Sequence, residues 1–195
     1  MFDKRIEVQE IKRIGIIGSG NVATNLTVKF KNSGIEVAQV FTRNRKSLNT
    51  FITGCQPSVI ADIKLFDSSL DLIIIATPDD SIEQIAKEIL TKIPVVHTSG
   101  SVAIANLKNR SNYGSFYPLQ TLTTDHAGKS IPIPILIEAS NPTFEAKLIK
   151  LAETISTMVS VHSSENRKKL HLAAVVVNNF TNHLYSEAEQ YCIES

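Results

Sequence analysis

Short apolar runs alternate with longer amphipathic or polar stretches over most of the chain. The apolar runs predict strands at residues 12–18, 35–41, 58–59, 70–76, 94–98, 114–117, 134–138 and 159–161. The stretches between them predict helices at 21–33, 47–53, 82–90, 103–109 and 142–157. Run 70–76 (LDLIIIA) is typical of a parallel strand that is covered on both faces. The alternation predicts right-handed βαβ units and an α/β fold with a doubly wound, mostly parallel sheet.

The pattern changes after residue 163, where a single long helix is predicted over 165–191. Apolar residues cover one side of this helix: Leu172, Ala173, Val176, Val177, Phe180 and Leu184. The other side carries a polar stripe of His171, Asn178, Asn182, Tyr185 and Glu189. The chain therefore divides into an α/β domain at 1–163 and a helical segment at 164–195.

Composition narrows the class of protein. The 195 residues are 43% hydrophobic and 20% charged, which suits a soluble globule, and a net charge of +1 gives no reason to expect nucleic acid. Cys55 and Cys192 show no ligand spacing, so neither a disulfide framework nor a metal site is expected, and Cys55 is interpreted as packing. The chain shows no signal peptide and no apolar run that could span a bilayer, so we expect a cytoplasmic protein without a membrane partner.

A Gly-rich turn joins the first strand to the first helix, with the sequence Gly18-Ser19-Gly20-Asn21-Val22-Ala23. A dinucleotide-binding fingerprint requires a strand, a Gly-x-Gly-x-x-Ala turn, a helix and a second strand within one short unit, and this chain is predicted to contain them in that order. In that interpretation Gly18 permits the tight turn, Gly20 lets the backbone approach a pyrophosphate, and the helix N-terminus faces the phosphates. The alternative is a sheet protein that needs small residues at its first turn.

The tip of the second strand indicates which nucleotide binds. A site for NAD usually places Asp or Glu there, whereas this chain has Thr42, Arg43, Asn44 and Arg45. A guanidinium group can bind a 2′-phosphate through two hydrogen bonds. The tip therefore predicts NADP as the cofactor, and the alternative is a solvated basic loop.

Six segments carry a family resemblance: GSGNVATNL, VFTRN, ATPDDSI, VVHTSGSV, FYPLQT and HLAAVVVNNFTNHLY. In this order they resemble the DUF2520 family of NADP-dependent oxidoreductases, in which a Rossmann-like domain precedes a helical domain. The wider group includes pyrroline-5-carboxylate reductase, prephenate dehydrogenase and F420-dependent NADP reductases. The resemblance implies that residues 164–195 begin a dimer-forming helical domain, which would be incomplete here, and that the protein is a homodimer.

Further candidate residues lie at predicted strand ends, where an open α/β sheet binds ligands. The resemblance implies that Thr77 and Pro78 pass beside the ribose and nicotinamide of the cofactor. At least one of Asp79 and Asp80 is predicted to cap the following helix. Ser99 is predicted to contact the cofactor and Ser101 the substrate, whereas His97 is interpreted as structural.

The polar stripe is the candidate catalytic surface. Imidazole titrates near neutral pH, so His171 is predicted to be the acid–base group, with Asn178 as its catalytic neighbour. Asn182 on the same stripe, and Tyr117 and Gln120 in FYPLQT, are candidate substrate contacts. The alternatives are a polar seam in a dimer for the stripe and a purely structural turn for FYPLQT. Asn179 and His183 lie off the stripe, and nothing clusters around His126 or His162.

Together these features predict an oxidoreductase that transfers a hydride between NADP(H) and a small carbonyl or imine compound. The alternative is a non-catalytic NADP-binding sensor or interaction module that dimerises through the long helix.

Overall fold

The computed structural model describes residues 10–43, 56–123 and 132–194. Several residues named above lie outside these ranges. They are Asn44, Arg45, the helix predicted at 47–53, Cys55 and His126.

Eight strands form one sheet. They are β1 (Arg13–Ile17), β2 (Glu36–Phe41), β3 (Ser58–Val59), β4 (Leu72–Ile75), β5 (Val95–His97), β6 (Tyr113–Pro118), β7 (Ile135–Ala139) and β8 (Val159–Val161). Their order in space is β3-β2-β1-β4-β5-β6-β7-β8, and every adjacent pair is parallel except β6 and β7. The predicted doubly wound, mostly parallel sheet is confirmed. The order reverses between β1 and β4, which is where ligands bind in this architecture.

Three helices pack on the sheet: α1 (Asn21–Asn32), α2 (Ile82–Glu88) and α3 (Pro142–Glu153). Short 3₁₀ turns occupy Ile63–Leu65, Asp79–Ser81 and Ile104–Leu107, the last of these in place of the helix predicted at 103–109. The helix predicted at 142–157 ends earlier, because the Thr154 hydroxyl donates to the Leu151 carbonyl and closes the last turn (2.7 Å).

The core lies on the two faces of the sheet. Successive side chains of a strand point to opposite faces, so Leu72 and Ile74 join one apolar cluster, and Ile73 and Ile75 join the other. All four are fully buried, as the continuous apolar run predicts.

The long C-terminal helix is not uniformly α-helical. It consists of α4 (Ser164–Val175), a π-helical turn at Val176–Phe180 and α5 (Thr181–Glu194). A π turn holds more residues than an α turn, so it shifts the side chains that follow it around the helix axis. The predicted single helix is therefore correct in extent and wrong in its internal periodicity.

A buried ion pair attaches α4 to the sheet. The Arg167 side chain is fully buried, and its Nη1 donates to the Glu138 carboxylate on β7, which is 17% exposed. Arg167 Nη2 also donates to the Val102 carbonyl at 2.5 Å. Ser164 completes the attachment, since its hydroxyl donates to Glu138 at 2.6 Å and accepts the N–H of Ile104 at 3.1 Å. These contacts set the position of α4 over the ends of β5, β6 and β7.

Replacement of Arg167 by Met is expected to lower the free energy of unfolding by about 3–5 kcal/mol, because it leaves the Glu138 carboxylate without its buried partner. The measurement is denaturant unfolding at neutral pH. Lys169→Ala is the matched control on the same helix, since it breaks the exposed Lys169–Glu165 pair and is expected to cost less than about 1 kcal/mol. Equal losses in the two variants would contradict the anchoring role of Arg167.

Candidate active site

A first cleft of about 400 Å³ opens at the point where the strand order reverses. It lies between the Gly-rich turn, the tip of β2 and the turn that follows β4. Seven of the predicted cofactor-binding residues line it: Gly18, Ser19, Gly20, Thr42, Arg43, Thr77 and Pro78. Arg43 is exposed at the end of the described β2 tip.

Glycine occurs at positions 18 and 20 of the turn for different structural reasons. Gly18 has a φ of +119°, and a Cβ atom there would lie 2.2 Å from the Ala76 carbonyl oxygen, so no other residue fits. Gly20 has an ordinary φ of −80°, and a Cβ atom would meet nothing within 4 Å. The space beside Gly20 is therefore open to a ligand rather than filled by protein.

The N-terminus of α1 faces this space. Gly20 is its N-cap residue and supplies no side chain to bond the first amides of the helix. Unbonded amides and the helix dipole favour an anion at such a position. Ser19 Oγ and Thr42 Oγ1 lie 2.8 Å apart and join the Gly-rich turn to the tip of β2.

Three predicted cofactor contacts lie outside the lining of this cleft. Asn21 is exposed in the first turn of α1, and its carbonyl accepts from Asn25 at 2.9 Å. Val22 packs against the core. Ser99 is buried, and its hydroxyl accepts the N–H groups of Ser101 and Val102 at 3.1 and 3.0 Å.

Asp79 bonds across the strand ends instead of capping a helix. Its carboxylate accepts from the Ser101 hydroxyl. The N-cap positions at this point are Pro78 and Ser81, neither with a side-chain cap bond. The predicted capping role is therefore wrong, although Asp79 and Asp80 remain in the first turn, where negative charge complements the helix dipole.

His97 supports the turn that carries these serines. It is fully buried, and its Nδ1 accepts the N–H of Ser99 at 3.2 Å. Its Nε2 has no partner among the described residues. The pKa of His97 is lowered to about 3, chiefly by burial and also by the positive charge of Arg167, while the negative charge of Asp79 acts in the opposite direction. The imidazole is therefore neutral at physiological pH, which agrees with a structural role.

Tyr117 and His171 form a hydrogen-bonded pair between β6 and α4. Tyr117 Oη lies 2.8 Å from His171 Nδ1, and the two rings meet edge to face at 5.7 Å. The imidazole packs directly on Gly100, where a Cβ atom would come within 2.5 Å of His171 Cγ. Gly100 therefore allows the close approach of α4. In the sequence, the contact between Gly100 and His171 is indicated only by the position of Gly100 between two serines after a buried strand.

A second cleft, of about 780 Å³, adjoins this pair. It brings together the predicted residues Tyr117, Gln120, His171, Asn178 and Asn182, and adds Asn179 and Thr121. Asn178 Nδ2 donates to Thr121 Oγ1 across the cleft at 2.8 Å. Two other members of the predicted stripe, Tyr185 and Glu189, do not line the cleft and are exposed further along α5.

The electrostatics of Tyr117 connect the two clefts. Burial raises its pKa, the negative charge of Asp79 raises it further, and Arg167 acts in the opposite direction. Asp79 follows the turn that lines the first cleft, and it is close enough to Tyr117 to influence a residue of the second. Asp79 also accepts from Ser101, and the neighbouring Gly100 packs on His171, so the two clefts are neighbours along the strand ends.

Arg167 and Glu138 were missed by sequence reasoning. Arg167 belongs to a run of three basic residues at 167–169, which reads as a solvated face, and Glu138 ends an apolar strand. No periodic signal links two residues that are 29 positions apart.

Comparisons with known proteins agree with this geometry. A model described as "NADP oxidoreductase coenzyme F420-dependent" matches residues 13–99, and the model of the domain of unknown function DUF2520 matches residues 133–195. The chain has no match among the curated proteins.

Solved structures cover nearly the whole chain. A Bacteroides fragilis protein, provisionally assigned as an NADP oxidoreductase, is 31% identical over 96% of this chain and 74% of its own, with a TM-score of 0.85. A Thermotoga maritima protein is 20% identical over 93% and 70% of the two chains, with a TM-score of 0.71. A pyrroline-5-carboxylate reductase from Coxiella burnetii is 19% identical over 95% and 71%, with a TM-score of 0.68.

The fold and its strand-end clefts thus define a Rossmann-like protein of the oxidoreductase class. Within that class, the chain belongs to the DUF2520 family. No helix in the described ranges is long and apolar enough to cross a bilayer.

The two glycines of the first cleft are expected to respond differently to substitution. Gly18→Ala should lower the free energy of unfolding, since φ is positive and the Ala76 carbonyl is too close. Gly20→Val should leave thermal stability nearly unchanged and abolish binding of NADPH, measured by fluorescence titration. A folded Gly20→Val variant with normal NADPH affinity would exclude a nucleotide from this cleft.

Proposed function

We propose that the protein is an oxidoreductase that transfers a hydride between NADP(H) and a small carbonyl or imine compound. The observation that carries the proposal is that two features lie past the carboxyl ends of the parallel strands, at the same edge of the sheet: an open helix N-terminus at Gly20 and the Tyr117–His171 pair. The family match of residues 13–99 supports the cofactor class.

The residues of the first cleft fit a dinucleotide. The first amides of α1 would hold the pyrophosphate, and the open space beside Gly20 admits it without steric conflict. Arg43 would bind the 2′-phosphate that distinguishes NADP from NAD. Thr77 and Pro78 would lie along the ribose. When bound, NADPH would supply the hydride.

The residues of the second cleft would manage the proton and orient the substrate. His171 would act as the acid–base group: as imidazolium it donates a proton to the substrate oxygen or nitrogen on reduction, and as imidazole it accepts one on oxidation. Tyr117 fixes the ring through Nδ1, which leaves Nε2 for the substrate. Asn178 and Asn182, with Gln120, would orient the substrate by hydrogen bonds.

A second candidate is a non-catalytic NADP-binding module that acts through an interface. It is favoured by the exposed apolar side chains of the helical segment, which include Leu172 (63%), Val177 (71%), Phe180 (62%) and Leu184 (69%). Either function agrees with a homodimer in which these side chains are covered, because an apolar patch of this kind usually marks an interface.

Loss of Arg43 tests the cofactor. An Arg–phosphate contact contributes roughly 1.5–3 kcal/mol, so Arg43→Ala is expected to weaken NADPH binding by roughly tenfold to hundredfold and to leave NADH binding nearly unchanged. Titrations at low and high salt provide the measurement, and Lys92→Ala, which removes an exposed cation away from the cleft, is the control. Equal affinity of the wild type for NADH and NADPH at low salt would contradict the choice of NADP.

Loss of His171 tests the chemistry. His171→Ala is expected to lower turnover by roughly 10²–10⁴-fold, and Asn178→Ala by less, while NADPH affinity changes little. Turnover is followed by NADPH absorbance with a panel of small carbonyls and imines. Full activity in both variants would assign the polar stripe to structure, and tight NADPH binding without turnover in wild type would favour the binding module.

The oligomeric state tests the interface. Sedimentation velocity is expected to show a dimer, and Phe180→Asp with Leu184→Asp should shift it to a monomer by placing charge in the apolar interface. A monomer across a wide concentration range in wild type would contradict the homodimer.

A further inference from the structure

We propose that the second cleft selects an uncharged carbonyl or imine substrate, one that carries amide or hydroxyl groups rather than a carboxylate. This inference rests on the proposed hydride transfer and names the substrate class for the same site. It is carried by the juxtaposition of four side-chain amides, from Gln120 and from Asn178, Asn179 and Asn182, around the Tyr117–His171 pair.

The amides come from both walls of the cleft. Gln120 lies in the segment that follows β6, and the three asparagines lie on the helical segment opposite. The π turn contributes to this arrangement, because Asn178 and Asn179 belong to it and both line the cleft although they are consecutive. An amide side chain both donates and accepts hydrogen bonds, so a wall of amides matches neutral groups with the same dual capacity.

The orientation of one amide is fixed. Asn178 Nδ2 donates to Thr121 Oγ1 at 2.8 Å and to Asn179 Oδ1 at 3.2 Å. This commits both of its N–H donors to protein and leaves its carbonyl oxygen as the group for a ligand. A carbonyl oxygen accepts from a hydroxyl or an amide N–H and repels a carboxylate, which can only accept.

The distribution of charged residues near the cleft also favours an uncharged substrate. No Lys, Arg, Asp or Glu occurs among the described residues of its lining. The buried cation Arg167 is paired with Glu138. Burial and the negative charge of Asp79 both raise the pKa of Tyr117, against the opposing effect of Arg167, so neither the burial nor Asp79 favours a second anion at this residue. Apart from the imidazolium form of His171, whose proton the proposed reduction consumes, a carboxylate placed here would gain no charged partner from the lining in return for its lost hydration.

Matched acid–amide pairs test the inference. The probes are pyruvate with pyruvamide, 2-oxobutyrate with 2-oxobutyramide, and 1-pyrroline-2-carboxylate with its carboxamide, each assayed with the full chain by NADPH absorbance. Within each pair the reacting carbonyl or imine is the same and only the charge differs. The expected result is a kcat/KM at least tenfold higher for the neutral member of the pairs that react.

A charge variant provides the second arm. Asn182→Lys places a cation in the cleft and is expected to shift the ratio of kcat/KM values towards the acid by about tenfold. Asn166→Lys makes the same change at an exposed position of α4 outside the cleft lining and should leave the ratio unchanged.

The outcomes separate the two proposals. Turnover of the acids in preference to the amides by wild type would overturn the neutral-substrate inference and leave the hydride transfer intact. An equal response of the ratio to Asn182→Lys and Asn166→Lys would also overturn it, since the cleft would then not be the place where the substrate's charge is distinguished. No NADPH consumption with any pair, in protein that binds NADPH, would contradict the proposed function itself.

Discussion

The ion pair between Arg167 and Glu138 is the contact on which the candidate site depends. It lies at the centre of a network that joins α4 to β7 and to the segment after β5. Glu138 is opposite Ser115 on β6, and Ser115 is in register with His97 on β5, so the pair completes a polar row across three strands. His171 lies one turn beyond Arg167 on the same helix, and the ion pair thereby holds the imidazole against Gly100 and within reach of Tyr117.

Glycine performs two different tasks around the strand ends. At Gly18 and Gly100 the absence of a side chain lets protein approach protein, since a Cβ atom would collide with the Ala76 carbonyl or the His171 ring. At Gly20 it leaves space that no protein atom fills. Only the open space at Gly20 indicates a ligand. Because this space lies at the N-terminus of α1, it indicates an anionic ligand.

The fold could be predicted from the sequence because its signals are local. The apolar run of β4 and the Gly-rich turn each indicate their structure within a few residues. The alternation of strands and helices indicates that the strands are mostly parallel. The site was only partly predictable, because its contacts are made at a distance. Asp79 was expected to cap the helix beside it, and it bonds Ser101, 22 positions away. The helical periodicity places Tyr185 and Glu189 on the polar stripe, but it does not show where the helix leaves the cleft, and both residues are exposed beyond it.

We propose that the cofactor and substrate clefts form one continuous site along the strand ends. A crystal structure of the protein with NADPH tests it most directly. The account predicts the pyrophosphate on the amides at Gly20 and the nicotinamide ring at the Asp79–Ser101 contact, with its reactive carbon facing the cleft of Tyr117 and His171. A nucleotide bound elsewhere, or a nicotinamide ring turned away from the Tyr117–His171 pair, would contradict it.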